Sequence, residues 1–139
     1  MLTEQLSQLL SATQALELLL QEEKQCLTEK SFADLNTLLF NKQKLLQQIG
    51  NCDKQISTEE NLTTILEDAS LLELKNNIEK RLQECKKNNE INGKLIEMSM
   101  KSNKHLMQIL TQTKGQNTVT YDNKGVLNRA SLLGKNIKA

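Results

Sequence analysis

From Leu2 the apolar residues of this chain recur in steps of three and four: Leu2, Leu6, Leu9, then Leu16, Leu20 and Leu27, with Thr13 and Glu23 filling the intervening positions. This spacing is the seam of a helix that packs along its length, here widened by Leu10, Leu18 and Leu19. The habit persists for the first 114 residues, in which proline never occurs and only two of the five glycines fall. Tryptophan is absent, and the aromatics are Phe32, Phe40 and Tyr121. Strands would call for aromatic and β-branched residues, so the composition points away from a β or α/β domain. At 139 residues the chain makes at most one domain. The expected fold class is all-α: an elongated antiparallel helical bundle or coiled coil of three main helices with a flexible C-terminal tail.

The first helix is expected over about residues 2–29. Ser31-Phe32-Ala33-Asp34 reads as a capping box with Asp in place of Glu, so the second helix is expected over 31–56. Its seam is Leu35, Leu38, Lys42, Leu45, Ile49, Cys52 and Ile56. Gly50 costs roughly 1 kcal/mol of propensity against alanine and could stop this helix, but the period continues past it. Residues 57–69 are expected to form a connector with a short helical piece, opened by the cap pattern Ser57-Thr58-Glu59-Glu60. A second start signal, Ser70-Leu71-Leu72-Glu73, opens a third helix over 70–113. Its stripe is Leu71, Leu74, Ile78, Leu82 and Cys85, resuming with Ile91, Leu95, Met98, Leu106 and Ile109. Asn92-Gly93 is a favoured turn pair, yet helical spacing resumes around it, so a continuous helix is expected, about 65 Å long at 1.5 Å per residue.

At Gly115 the pattern breaks. Residues 115–139 hold three glycines and seven scattered hydrophobics: Val119, Tyr121, Val126, Leu127, Leu132, Leu133 and Ile137. Lys124, Arg129, Lys135 and Lys138 against Asp122 give this stretch +3, on a body of −2. That bias falls short of a polybasic nucleic-acid arm, and the net charge of +1 offers no general case for nucleic acid. The spaced hydrophobics suggest a segment that orders on a partner, at an entropic cost of roughly 2–5 kcal/mol.

Sites for chemistry are not expected. There is no Gly-rich phosphate loop, HExxH or GxSxG. Cys26, Cys52 and Cys85 are widely spaced without CxxC, and His105, the single histidine, stands apart from them, which argues against zinc. Reduced thiols in a cytosolic protein are the natural reading. The start, MLTEQL, lacks signal-peptide character, and no apolar run approaches the roughly 20 residues of a membrane span. No catalytic, cofactor-binding or metal residues are therefore assigned, and no direct membrane insertion is expected.

Three segments carry a family resemblance. The first runs from Leu19-Leu20-Gln21-Glu22-Glu23 and Leu27 through Ala33-Asp34-Leu35 and Leu38-Leu39 to Lys42-Gln43-Lys44-Leu45-Leu46. The second is Asn89-Glu90-Ile91-Asn92-Gly93-Lys94-Leu95-Ile96, followed by Asn103. The third is Thr120-Tyr121-Asp122-Asn123-Lys124-Gly125. Together they resemble the FlgN family of flagellar export chaperones for hook-associated proteins: its N-terminal hairpin, its N-x-x-N-G-x-L-(I/L) stretch in the last helix, and its tail tyrosine followed by glycine. The resemblance implies a cytosolic protein that holds hook–filament junction subunits and delivers them to the flagellar type III export gate. It also implies a client surface made by the end of the last helix and the tail: Leu106, Leu110, Val119, Tyr121, Val126, Leu127, Leu132, Leu133 and Ile137. Tyr121 is the candidate contact at the gate. The competing reading is a generic coiled-coil adaptor whose seam mediates oligomerisation.

Overall fold

The structure, a computed structural model, describes residues 1–104 and 106–108. Among the described residues four helices succeed one another: α1 (Leu2–Thr28), α2 (Leu35–Ile56), α3 (Glu59–Glu67) and α4 (Ala69–Ser102). The all-α expectation holds. Helix α1 packs against both α2 and α4, while α3 packs against α4. Helix α2 runs antiparallel to α1. Helix α4 returns parallel to α1: its Arg81 pairs with Glu17 and its Asn92 reaches Leu20 and Glu23. The body is an up-down-up bundle, and α3 lies within the connection that turns α2 into α4.

The start of α2 differs from the capping-box expectation. Lys30 adopts φ 57, and the Ser31 amide donates to Cys26 O at 2.9 Å while the Lys30 amide donates to Leu27 O at 3.4 Å. This pair of bonds is a Schellman closure of α1. It takes up the Ser31 backbone at the end of the first helix, so the second begins at Leu35 rather than at 31. The intervening Phe32 is buried against Leu27, Leu35 and Leu39, which ties the turn to the core.

The other boundaries shift for equally local reasons. Helix α3 is capped by Thr58, one residue beyond the expected Ser57; Thr58 Oγ1 accepts from the Asn61 amide at 3.2 Å. Helix α4 is capped by Asp68, not Ser70: Asp68 Oδ1 accepts from the amides of Ser70 (2.9 Å) and Leu71 (3.2 Å). A charged oxygen at a helix start outdoes a serine two residues later, since it also meets the positive end of the dipole. Helix α2 passes through Gly50 without interruption, and α4 passes through Asn92-Gly93 as expected.

The expected single helix to 113 is corrected at Asn103. There the backbone turns extended (φ −141, ψ 106), and α4 ends at Ser102. The Asn103 side chain then accepts from the Leu106 amide at 3.2 Å, starting a new helical turn. An asparagine competes with the helix by bonding nearby backbone, and here it does so by capping the turn that it begins.

Two apolar clusters fill the bundle. The larger joins Leu6, Leu9, Leu16 and Leu20 of α1 to Ile49 and Ile56 of α2, Ile65 of α3, and Ile78, Leu82 and Cys85 of α4. The smaller lies at the hairpin end, where Leu27, Phe32, Leu35 and Leu39 meet Ile96 and Leu106. Among the described residues no helix is long and apolar enough to cross a membrane.

Candidate binding site at the hairpin end of the bundle

Between the two clusters lies a layer of buried polar side chains. Glu23 on α1 and Lys42 on α2 occupy positions where the leucine period calls for an apolar residue. They meet in the core: Lys42 Nζ stands 2.9 Å from Glu23 Oε2 and 3.1 Å from Oε1, with side-chain exposures of 2% and 0%. Helix α4 completes the layer. Lys42 Nζ donates to Asn89 Oδ1 at 3.0 Å, and Asn92 Nδ2 donates to Glu23 Oε1 (3.0 Å) and Leu20 O (2.9 Å). Burial holds the Lys42 ammonium below the ordinary lysine value, and the neighbouring Glu23 opposes that shift.

Such a layer is a weak source of net stability, because desolvating two ions offsets most of their attraction. Its stronger effect is selective. A slip of any helix by one residue would strand a buried charge or amide, at several kcal/mol for an ion. The layer therefore fixes the register of all three long helices at one level. It also sets where the last part of α4 lies on the hairpin. Asn92 Oδ1 is buried and makes no hydrogen bond among the described residues.

Beyond the layer, Ile96 and Leu106 rest on Leu27, Phe32, Leu35 and Leu39, with Leu95 and Met100 packed partly buried against them. Leu106, the first of the expected client-contact residues, is fully buried in this cluster. Leu110, Val119, Tyr121, Val126, Leu127, Leu132, Leu133 and Ile137 lie outside the described residues, as does His105. Met98 and Met107, by contrast, are well exposed on the same end of the molecule.

The three thiols are free. Cys52 lies half-buried beside the larger cluster, as a seam residue should. Cys85 is buried, and desolvation followed by the Glu17 charge pushes its thiol up to about 12. Burial likewise raises Cys26 and Cys52, so none of the three carries the activation that a reactive cysteine needs. Among the described residues no group of histidine, cysteine or carboxylate side chains is placed to hold a metal ion.

The polar layer was only half legible in the sequence. Glu23 and Lys42 show as charges on a leucine stripe, and their opposite signs are the clue that they pair. Asn89 and Asn92 offer no such clue, since Asn92-Gly93 reads as a turn until α4 is seen to run through it.

The class defined by these features is an all-α bundle whose register is set by a buried polar layer and whose last helix leads from the hairpin end toward the C-terminal segment. The chain belongs to the FlgN family: the family's model, FlgN protein, matches residues 1–129. No curated protein and no solved structure matches it. Membership supports a role as a flagellar export chaperone in general terms. The residues behind the resemblance also acquire a structural meaning, because Glu23, Lys42, Asn89 and Asn92 form the buried layer and Asn103 caps the turn after α4.

Proposed function

We propose that this chain is a cytosolic chaperone that binds hook-associated proteins of the hook–filament junction and delivers them to the flagellar type III export apparatus. The observation that carries the reading is the family match over residues 1–129, which extends past the bundle into the C-terminal segment. The bundle acts as the handle. The client surface is assigned to the segment after the last helix, through Leu110, Val119, Tyr121, Val126, Leu127, Leu132, Leu133 and Ile137, while Leu106, buried in the hairpin-end cluster, anchors the start of that surface to the bundle.

The physical case is one of matched chemistry. Secreted subunits that assemble through heptad-like apolar termini self-associate when left unpaired, and an amphipathic segment can cover such a terminus by helix pairing. Ordering that segment on the client lowers the affinity that contact area alone would give, so the client can still be released at the export gate. Tyr121 is assigned the gate contact.

A pull-down with purified hook-associated proteins, using the full chain and a chain lacking residues 115–139, tests this reading. Capture by the full chain and loss on truncation is the expected result. Equal capture by both would move the client site onto the bundle. For Tyr121, the expected result of Tyr121→Ala is intact client capture with reduced client secretion; unchanged secretion would remove its gate role.

A further inference from the structure

The outward face of α4 carries a pattern that packing within the bundle does not use. Lys80, Lys87, Lys94 and Lys101 recur at seven-residue steps, and all four are exposed. Between them on the same face stand two apolar side chains, Ile91 (39% exposed) and Met98 (66%). Each has a lysine four residues before it and another three residues after: Lys87 and Lys94 around Ile91, Lys94 and Lys101 around Met98. Leu95, at the i+4 position between them, borders this face but is half-buried against the hairpin-end cluster.

This face lies opposite the side of α4 that buries Ile78, Leu82, Cys85, Asn92 and Ile96. Among the described residues Lys80, Lys87 and Lys94 make no ion pair, and Lys101 makes only a long one, 3.7 Å, to Glu97 on its own helix. Arg81, in contrast, turns inward to Glu17 at 2.7 Å. From Lys80 to Lys104 the chain holds seven basic residues against three acidic ones, on a protein whose net charge is only +1.

We infer that this face is a docking surface for an acidic amphipathic helix of another protein. Apolar residues flanked by like charges at heptad spacing are the half-seam of a two-helix coiled coil, and the matching half has leucine-like residues flanked by glutamate or aspartate. The matched part of the stripe runs from Lys87 to Lys101, about 21 Å or two heptads, because exposed Glu84 holds the position one heptad before Ile91 and ends the apolar seam there. A strict seven-residue repeat drifts by about 20° per heptad on a straight helix, so the partner crosses α4 at a shallow left-handed angle. A second copy does not fit, since the same lysines would face one another. The chain's own residues 115–139 do not fit either, because they carry +3. The inference concerns a surface apart from that C-terminal segment and stands independently of the chaperone reading.

The test uses the full chain and a synthetic peptide of about three heptads with leucine at a and d and glutamate at e and g, beside the same peptide with lysine at e and g. Amide shifts on titration with the glutamate peptide are expected to fall along Lys87 to Lys101, and binding is expected to weaken as salt is raised. The double variant K87E/K94E should weaken binding on the order of tenfold, as should I91S/M98S, while K54E on α2 should leave it unchanged. Circular dichroism establishes that each variant is folded. Equal affinity for the two peptides, shifts mapping to another face, or full binding by K87E/K94E would overturn the proposal. So would lysine-dependent sedimentation of the chain with anionic phosphatidylglycerol vesicles in the absence of peptide binding, which would assign the stripe to a membrane surface instead.

Discussion

Asn92 Nδ2 donates to Glu23 Oε1 at 3.0 Å, so the carboxylate that neutralises Lys42 of α2 also holds α4. One buried acid thus serves both interfaces of the central helix. The consequence is an asymmetry between removing one member of the layer and removing the charged pair together.

For the pair, Glu23→Leu alone or Lys42→Met alone should each destabilise the bundle by about 3–5 kcal/mol, because each strands an uncompensated buried charge. The combination Glu23→Leu with Lys42→Met should recover most of that loss. Urea unfolding monitored by circular dichroism measures all three, and additive losses in the double variant would show that the two residues act separately.

The Asp68 cap gives a second prediction. Its carboxylate accepts from the Ser70 and Leu71 amides, so Asp68→Ala should cost about 1 kcal/mol. Ser70→Ala should be close to neutral, since Ser70 contributes its backbone amide there. The reverse order of effects would restore Ser70 as the start of the helix.

Two backbone positions hold unused stability. Gly50 lies inside α2, and a Cβ placed there meets nothing within 4 Å; Gly50→Ala should therefore stabilise by roughly 0.5–1 kcal/mol. Lys30 sits at φ 57 in the turn, a conformation that favours glycine, so Lys30→Gly should stabilise by a similar amount, about 0.5–1 kcal/mol. Thermal melts that fall rather than rise would contradict both expectations.

The pH dependence of stability should carry the signature of Cys85. Its folded thiol is pushed up to about 12 from an ordinary 9.0. The folded state therefore keeps a proton that the unfolded chain gives up above about pH 9, and stability falls as pH rises through that window. For a single proton the loss is at most about 1.4 kcal/mol per pH unit. Lys42 acts in the opposite sense, because its lowered value lets the folded state shed a proton before the unfolded chain does. Comparing the wild type with Cys85→Val across alkaline pH isolates the thiol; parallel curves would show that its ionisation is not linked to folding.

The helices were written into the chain by spacing alone. Leu6, Leu9, Leu16 and Leu20 fall on one face at 100° per residue whatever surrounds them, and the same is true of Leu35, Leu38, Ile49 and Ile56. Ends were less legible. Each was decided by competition among nearby polar groups: Asp68 over Ser70, Thr58 over Ser57, and the Schellman turn at Lys30 over a serine cap at Ser31. Such contests differ by about 1 kcal/mol or less, so spacing cannot rank them.

By itself, then, the sequence determined that this protein is three long amphipathic helices with a change of character at Gly115, because helical periodicity is a local property carried by each segment. The tertiary structure decided which polar residues go inside. Glu23 and Lys42 are 19 residues apart, and Glu23 and Asn92 are 69 apart; no local rule joins them. They meet because α1, α2 and α4 align at one level, and they are tolerated in the core because each satisfies the others there. The same alignment turns Lys80, Lys87, Lys94 and Lys101 outward as an unbroken stripe, a surface that exists only once α4 has chosen which side to bury.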